Sequence, residues 1–435
     1  MYPISPETAV FVVISFEGPD PYSQAGGLGT RVAGLTEALA EAGLTTHLYF
    51  VGDPNKDAIE KRVNGNLILH RWCQWISKFN PAGVYDGEIS KVLDMNNSLP
   101  WEILQNVAKP AAADGKILVV LAEEWHTGDV ICNLSDLLYY NGLRNHALLL
   151  WNANNDMAFH RINTGRLLFA GVTFTTVSKF MKHTMWPLGV NPLVVPNGIP
   201  QRWLDPVDPQ TAREFRKLFP ADFLLTKVGR FDPDKRWLTA VGSVAQLKGV
   251  NSSATLIMRG GIEPHGAEVL GRAYAFGLTI KEIAGRTDDI GEFMQWVARA
   301  MPADTLNLRA FLPEEFLHVM YCASDAVLAN SGYEPFGLVG LEAMATGGIA
   351  FTGATGEDYA IPLENAIVLE TDDPSEIIEN LIYLKDNPEI AKRIREGARE
   401  TAERFTWSKV VENLVSKLNY LARKQNIQIA GGQHG

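Results

Sequence analysis

Short apolar segments alternate with amphipathic segments along most of this 435-residue chain. The pattern begins with the apolar segment Ala9–Phe16 (AVFVVISF), continues with a helical pattern at Thr30–Ala42 and returns to an apolar segment at Thr45–Val51. Strands that alternate with helices favour parallel sheets covered by helices. Further strands are predicted in two groups, first at Ile117–Ala122, Ala147–Trp151 and Thr173–Val177, and then at Leu224–Val228, Thr255–Met258, Asn307–Phe311, Ala326–Ala329, Ile349–Thr352 and Ala366–Leu369. The sequence therefore predicts an α/β protein with two doubly wound sheets.

The segment Leu193–Trp203, which is rich in Pro and Gly, separates the two groups of strands. A chain of 435 residues is also too long for one ordinary domain. We therefore predict two Rossmann-like domains, at residues 1–195 and 196–405, that face each other across a cleft. By analogy with other two-domain α/β folds, a last helix at residues 406–425 is expected to return to the first domain.

The composition disfavours several kinds of binding partner and site. A net charge of −11 disfavours nucleic acid and anionic membrane surfaces as partners. The three cysteines, Cys73, Cys132 and Cys322, lie far apart in the sequence, which disfavours a zinc site or a redox pair. No basic segment followed by an apolar run opens the sequence, and no segment reaches the roughly 18 apolar residues that span a bilayer. We expect a cytoplasmic protein without a transmembrane segment, and the sequence leaves its oligomeric state open.

Two motifs follow predicted strands of the first domain. Gly26 and Gly27 lie between a strand and a helix, where glycine lets the backbone approach a ligand and the helix N-terminus favours an anion such as a diphosphate. A tight strand-to-helix turn without a ligand is the alternative. His126, between Trp125 and Thr127, follows the strand Ile117–Ala122 and is expected to face the cleft. A structural histidine is the alternative there.

A third motif, Val228–Arg236, follows the first predicted strand of the second domain. Ligands of open α/β sheets bind at the carboxyl ends of strands. Arg230 and Lys235 both suit a diphosphate and would offset the charge of a departing nucleoside diphosphate. Asp232 and Asp234 admit a divalent metal as an alternative. Because basic residues of the same motif already supply positive charge, we predict no metal and no other cofactor.

The fourth motif holds two glutamates, Glu334 and Glu342, eight positions apart. Glu334 follows a predicted strand, and Glu342 lies about one turn inside a predicted helix over Leu338–Ala345. Both carboxylates are expected to face one pocket and to accept hydrogen bonds from the vicinal hydroxyls of a sugar and a ribose. A helix-capping glutamate and an unrelated surface glutamate are the alternative.

Taken together, these motifs resemble the retaining glycosyltransferases of the GT-B fold. The resemblance covers about residues 9–424, and Glu334 and Glu342 match the family's two glutamates separated by seven residues. The first-domain motifs are similar to those of glycogen and starch synthases. The motifs that carry the resemblance are Gly26–Gly29, Trp125–Thr127, Val195–Ile199, Val228–Arg230 with Lys235, and Glu334–Glu342.

The sequence differs in two positions from the glycogen and starch synthases of bacteria and plants. Those enzymes carry a lysine two residues before the paired glycines, where this chain has Gln24, and they lack the second glutamate, which is present here as Glu342. The chain is therefore more similar to the large sucrose-synthase-like group of retaining transferases.

The resemblance implies transfer of a hexosyl group, most simply glucosyl, from an ADP-, UDP- or GDP-hexose to a sugar, glucan or other hydroxyl acceptor. The first domain would then be the acceptor side and the second would bind the nucleotide sugar. Residues assigned to catalysis by the resemblance are His126, Arg230, Lys235 and Glu334. Residues assigned to donor binding are Gly26, Gly27, Phe336, Gly337, Leu338 and Glu342.

Each assigned residue has an expected role by resemblance. His126 contacts the donor sugar near the reacting centre, and Arg230 and Lys235 hold the diphosphate. Glu334 binds sugar hydroxyls, and Glu342 binds the ribose. The paired glycines place amides near the phosphates or sugar, and the residues between the two glutamates shape the sugar pocket.

Three other functions remain open. A sugar-nucleotide epimerase or hydrolase of the same shape would need an acid/base carboxylate pair in the first domain, but the adjacent Glu123 and Glu124 are expected to point to opposite sides of their strand. A phosphorylase would need a lysine bound to pyridoxal phosphate, and the chain is short for one. An inactive sugar-nucleotide-binding protein is the third, although the candidate site residues are all present.

Overall fold

The computed structural model describes residues 4–250, 252–353 and 356–427. The chain divides into two compact units: unit 1 is Met1–Gly198 with Trp407–Gly435, and unit 2 is Ile199–Thr406. Each unit contains one sheet of mostly parallel strands, so the predicted α/β class is confirmed. Among the described residues, no helix is both long enough and apolar enough to cross a membrane.

Unit 1 has an eight-stranded sheet in the order β3-β4-β2-β1-β5-β6-β7-β8. All neighbouring strands are parallel except β3 and β4. Strand β1 is central and buried along its whole length. The strands β1 to β8 are Ala9–Ile14, Thr46–Val51, Ile59–Arg62, Leu67–Trp72, Ile117–Glu123, Ala147–Ala153, Thr173–Thr176 and Leu193–Val194.

The helices of unit 1 include the last one of the chain. They are α1 to α7 at Gly27–Glu41, Gln74–Ser77, Glu88–Ile103, Lys109–Ala113, Gly128–Tyr140, Thr164–Phe169 and Lys179–Met185, and α16 at Trp407–Lys424. Helices α1 and α16 pack together closely because Gly34 has no side chain. A Cβ on Gly34 would lie 2.2 Å from Nε1 of Trp407. Residues of α16 such as Leu414 and Leu418 thereby join the same hydrophobic core as strand β1.

Unit 2 has a seven-stranded sheet in the order β11-β12-β10-β9-β13-β14-β15, and all its pairs are parallel. The strands β9 to β15 are Phe223–Val228, Ala254–Arg259, Ile280–Arg286, Thr305–Phe311, Ala326–Ala329, Ala350–Thr352 and Ile367–Val368. The helices α8 to α15 are Pro209–Lys217, Trp237–Gly249, His265–Ala275, Ile290–Ala300, Glu314–Ala323, Leu338–Ala345, Pro374–Asp386 and Pro388–Glu403.

The order of strands in unit 2 determines which loops are neighbours. Strand β9 is central, and its Thr226 pairs in register with Val327 of β13. Because both strands run in the same direction, the loops that follow them leave the sheet side by side. Those two loops contain the third and fourth sequence motifs.

Strands β3, β4, β8 and β11 were missed by the sequence analysis. Strands β3, β8 and β11 form edges of their sheets, and the sequences of β3 (IEKR) and β11 (IKEIAGR) are rich in charged residues. Strand β4 lies inside its sheet, and its sequence LILHRW contains the polar residues His70 and Arg71. An edge strand exposes much of its surface to water, so the apolar run that marks a central parallel strand is absent.

Candidate active site

An ion pair joins two of the predicted site residues at the carboxyl ends of β9 and β13. Lys235 ends a 3₁₀ turn at Pro233–Lys235, and Glu334 lies in the loop between β13 and α13. Lys235 Nζ lies 2.8 Å from Glu334 Oε1, and the two side chains are 20% and 25% exposed. The structure therefore brings together a cation and a carboxylate that a ligand can reach from solvent.

Arg230 lies in the same loop as Lys235 and is exposed. In the described part of the chain, its guanidinium makes no hydrogen bond or ion pair. Asp232, by contrast, has a structural role, since its carboxylate accepts the Asp234 N–H at 3.0 Å and caps the 3₁₀ turn. The backbone of Asp234 in turn accepts the Gly332 N–H at 2.8 Å, which joins the two loops.

The start of helix α13 requires glycine. Gly337 has a φ of 87°, in the left-handed region that glycine adopts without strain. Its carbonyl oxygen accepts a hydrogen bond of 2.5 Å from the Tyr359 hydroxyl, and a Cβ on Gly340 would lie 2.6 Å from the same hydroxyl. The Phe336 ring is buried against Tyr359 and Phe405. The Phe336 side chain therefore packs in the aromatic core of unit 2 and supports the loop before α13.

Glu342 lies about one turn inside α13 and is half-buried. Burial, together with the charges of Glu314 and Glu334 and against the opposing effect of Arg259, raises the pKa of its carboxyl to about 7. In the described part of the chain, the Glu342 carboxylate accepts no hydrogen bond. A ligand with hydroxyl groups would supply the missing donors.

Backbone N–H groups of the loop that contains Gly26 and Gly27 already bind a carboxylate of the chain itself. Glu17 Oε2 accepts hydrogen bonds from the N–H groups of Ala25, Gly26 and Gly29, at 3.0 to 3.2 Å. The N-terminus of α1 attracts this negative charge. The Gly26 N–H, which the sequence analysis assigned to a ligand, thus binds Glu17, whereas Gly27 is exposed with open space at its Cβ position.

His126 is buried, on a 3₁₀ turn between β5 and α5. Its Nε2 lies 3.0 Å from Glu88 Oε1, and its ring stacks on Phe16 with centroids 4.2 Å apart. Burial lowers the pKa of His126, and the Glu88 carboxylate opposes that shift. A neutral imidazole that donates from Nε2 keeps Nδ1 as an acceptor. In the described residues, Nδ1 has no partner.

A small polar cavity borders His126. Its volume is about 90 Å³, enough for a few water molecules or part of a polar ligand. Its polar lining includes Asn96, Asp129, Arg161 and Asn163. The Asn96 Oδ1 is likewise buried and has no partner among the described residues.

The adjacent carboxylates Glu123 and Glu124 share one hydrogen-bond donor residue, Asn154, and otherwise have different partners. Glu123 pairs with Arg31 at 3.3 Å. Glu124 has a φ of 67°, and its Oε1 accepts the Asn154 and Asn155 N–H groups at 2.6 and 3.2 Å. Burial raises the pKa of Glu124 to about 7, although those backbone hydrogen bonds oppose the shift.

The sequence analysis assigned no role to two residues that contact predicted site residues. Glu17 and Glu88 contact the first-domain motifs, and neither stands in a motif of its own. Trp75, Phe79 and Trp101 are 64%, 82% and 54% exposed, so they are not core residues.

A family model described as "Glycosyl transferases group 1" matches residues 209–401. Arg230, Lys235, Glu334 and Glu342 all fall within the matched residues. A D-inositol 3-phosphate glycosyltransferase of Saccharomonospora viridis is 33% identical over 115 residues, which are 25% of this chain and 26% of that protein. The match thus spans about a quarter of the length of that curated relative.

Two solved structures are similar over almost their whole length. Sucrose-phosphate synthase from Thermosynechococcus elongatus has a TM-score of 0.64 at 20% identity, with 96% of this chain and 98% of that chain covered. The catalytic domain of starch synthase IV from Arabidopsis thaliana, bound to ADP and acarbose, has a TM-score of 0.66 at 18% identity, with 96% and 99% covered. At these identities the likeness establishes the fold, and the predicted GT-B class is confirmed.

The raised pKa of Glu124 gives a testable dependence of stability on pH. The carboxyl titrates near 4.5 when unfolded and near 7 when folded. The folded state therefore binds more protons between these values, and the free energy of unfolding falls as the pH rises through 7. Gln does not titrate. Between about pH 5 and pH 8, the free energy of unfolding of Glu124→Gln should therefore fall by about 2 kcal/mol less than that of the wild type. Urea unfolding at both pH values measures the difference.

Glu37→Gln is the matched control, since Glu37 is an exposed glutamate on α1 of the same unit. It should follow the wild type. A Glu124→Gln variant that also follows the wild type would contradict the raised pKa.

Proposed function

We propose that this chain, whose residues 209–401 are a glycosyl transferases group 1 domain, moves a hexosyl group from a nucleoside diphosphate sugar to a hydroxyl acceptor with retention of configuration. The donor is an ADP-, UDP- or GDP-hexose, most simply a glucose, and the acceptor is a sugar, a glucan or a small alcohol. The observation that carries the proposal is the Lys235–Glu334 pair, an accessible cation and carboxylate at the carboxyl ends of adjacent strands.

The basic residues of unit 2 suit the leaving diphosphate. Arg230 is exposed and unpaired in the described part of the chain, and Lys235 is partly exposed beside it in the same loop. As the bond between the sugar and the diphosphate breaks, negative charge grows on the leaving group. Fixed cations that are aimed at this charge lower the barrier of the chemical step.

The carboxylates suit the hydroxyl groups of the donor. Glu334 accepts one bond from Lys235, and its remaining lone pairs can accept from the transferred sugar. Glu342 is assigned to the ribose, and the backbone of Gly337 and Leu338 borders the sugar. A half-buried carboxylate without a donor, as Glu342 is in the described residues, gains most from a ligand that donates two hydrogen bonds.

Retention follows from transfer on one face of the sugar. The bond from C1 to the diphosphate oxygen breaks, and a bond from C1 to the acceptor oxygen forms on the same side. The acceptor proton passes to the oxygen of the leaving phosphate, so no nucleophile of the protein is needed. His126, with its unpartnered Nδ1, is proposed to contact the transferred sugar from unit 1, and Gly27 to approach the donor.

The stereochemistry of the product tests the reaction. ADP-, GDP- and UDP-glucose, which are α-linked donors, should be offered with a panel of sugar acceptors. Proton NMR of the early product should show an α-linkage. A β-linked product would overturn the proposed mechanism, and release of free glucose without any acceptor product would favour a hydrolase.

Activity should not depend on a divalent metal ion. Arg230 and Lys235 supply the positive charge that a metal would supply, and the Asp232 carboxylate is occupied in capping its own turn. Initial rates should therefore be unchanged after dialysis against EDTA. Complete loss of activity that magnesium or manganese restores would instead assign Asp232 and Asp234 to a metal.

Replacing Arg230 or Lys235 with alanine should lower kcat more than it raises KM, because the contact of each residue with the diphosphate strengthens as negative charge develops in the transition state. The expected loss for Arg230→Ala and for Lys235→Ala is on the order of 10² to 10³-fold in kcat. Lys235→Arg should rescue only part of it, since a planar guanidinium replaces a compact ammonium. Steady-state kinetics measure these effects.

Arg299→Ala and Lys281→Ala serve as matched controls, because both residues are exposed on other parts of unit 2. Melting temperatures should be nearly the same for all these variants. A near-normal kcat in both Arg230→Ala and Lys235→Ala would remove these residues from the mechanism.

A further inference from the structure

A lysine is buried beneath the proposed donor site. Lys227 lies one residue before the end of β9, the central strand of unit 2, and is only 2% exposed. No step of the proposed reaction uses it, and it stands outside all four sequence motifs. A buried amine costs free energy unless its hydrogen bonds are made, so its partners are informative.

Both hydrogen-bond partners of Lys227 lie at the end of β13. Its Nζ donates to the backbone oxygen of Leu328 at 3.1 Å and to Asn330 Oδ1 at 2.5 Å. The Nζ also lies 5.3 Å from the centroid of the buried Trp237 ring. Lys227 thus connects the central strand to the first residues of the loop that carries Glu334.

Asn330 is held in one orientation by this contact. Because Oδ1 accepts from Lys227, the Nδ2 group must point the other way. Asn330 is 1% exposed, and in the described part of the chain its Nδ2 has no hydrogen-bond partner. An oriented, buried donor without an acceptor is suited to a polar atom that arrives with a ligand or with an ordered water.

We propose that Lys227 is a positioning residue of the donor site: it orients Asn330 and the loop of Glu334, and it gains a proton when a nucleoside diphosphate binds above it. This inference rests on the proposed function, since it requires the diphosphate to bind at Arg230 and Lys235. A lysine that only fills the core would keep the same protonation state with and without the nucleotide.

The charges around Lys227 explain why its protonation state would change when a nucleotide binds. Burial lowers the pKa of Lys227 most, the neighbouring cations Lys235 and Arg236 also lower it, and Glu334 opposes them, so that the pKa is about 7. From strand β10 the residue in register is Met258, which carries no charge. A bound diphosphate would add strong negative charge on the same side as Lys235, which favours the ammonium form.

Calorimetry of the wild-type chain provides the first measurement. The protein is titrated with ADP, GDP and UDP in turn at about pH 8, in two buffers of different ionisation enthalpy. The dependence of the measured heat on the buffer gives the number of protons taken up. At this pH the phosphates are already ionised, and the wild type should take up between about one half and one proton more than Lys227→Met.

The variants separate the lysine from other groups that titrate. Lys227→Met should bind the nucleotide about tenfold more weakly near pH 7, where the lost charge matters. Lys227→Arg, which keeps its charge, should retain affinity at about pH 9 and take up no additional proton. Lys248→Met is the matched control, since Lys248 is a partly exposed lysine on α9 paired with Asp304, and it should behave as the wild type.

Each outcome decides the question. Equal proton uptake by the wild type and Lys227→Met would overturn the role of Lys227 and leave the proposed function intact. Should Lys227→Met fail to fold, Lys227→Arg is compared with the wild type in the same way. Absence of binding by the wild type to all three nucleotides would overturn the proposed function, and this inference with it.

Discussion

Parallel strands that are buried on both faces cannot carry many polar side chains along their length, so polar groups collect where the strands end. Strand β1 is buried throughout, and β9 is buried up to its last residue. Glu17 follows β1, His126 follows β5, and Lys235 follows β9. Because the strands of each unit run mostly in one direction, these polar side chains lie at the carboxyl ends of the strands. The loops at those ends differ in the side chains that they carry.

The two units differ in how the polar groups at these strand ends are paired. In unit 1, the amides at the start of α1 are satisfied by Glu17, a carboxylate of the chain itself. In unit 2, Arg230 extends into solvent without a partner among the described residues, and Lys235 has a single carboxylate beside it. The N–H groups of Gly26 and Gly29 therefore already have an acceptor within the chain, whereas the Arg230 guanidinium has none among the described residues.

The sequence was sufficient to place Lys235 and Glu334 after neighbouring strands, because each follows a strong strand pattern and parallel strands end together. It could not place Glu17, since the contact depends on the turn between β1 and α1, or Lys227, whose neighbours come from a strand about one hundred residues away. Nor could it show that the Phe336 ring is buried, because its aromatic neighbours Tyr359 and Phe405 are distant in the sequence. Spacing along the chain reveals which loops are adjacent, and packing alone reveals where each side chain points.

The close approach of α16 to Gly34 has a consequence for how the chain is made. The hydrophobic core of unit 1 contains residues from β1 and from Trp407 to Ile427, whereas unit 2 is one continuous segment, Ile199–Thr406. During synthesis on the ribosome, unit 2 can complete its core while the apolar groove that receives Trp407 is still empty. The unit whose first strand is made earliest is therefore the one whose core is completed last.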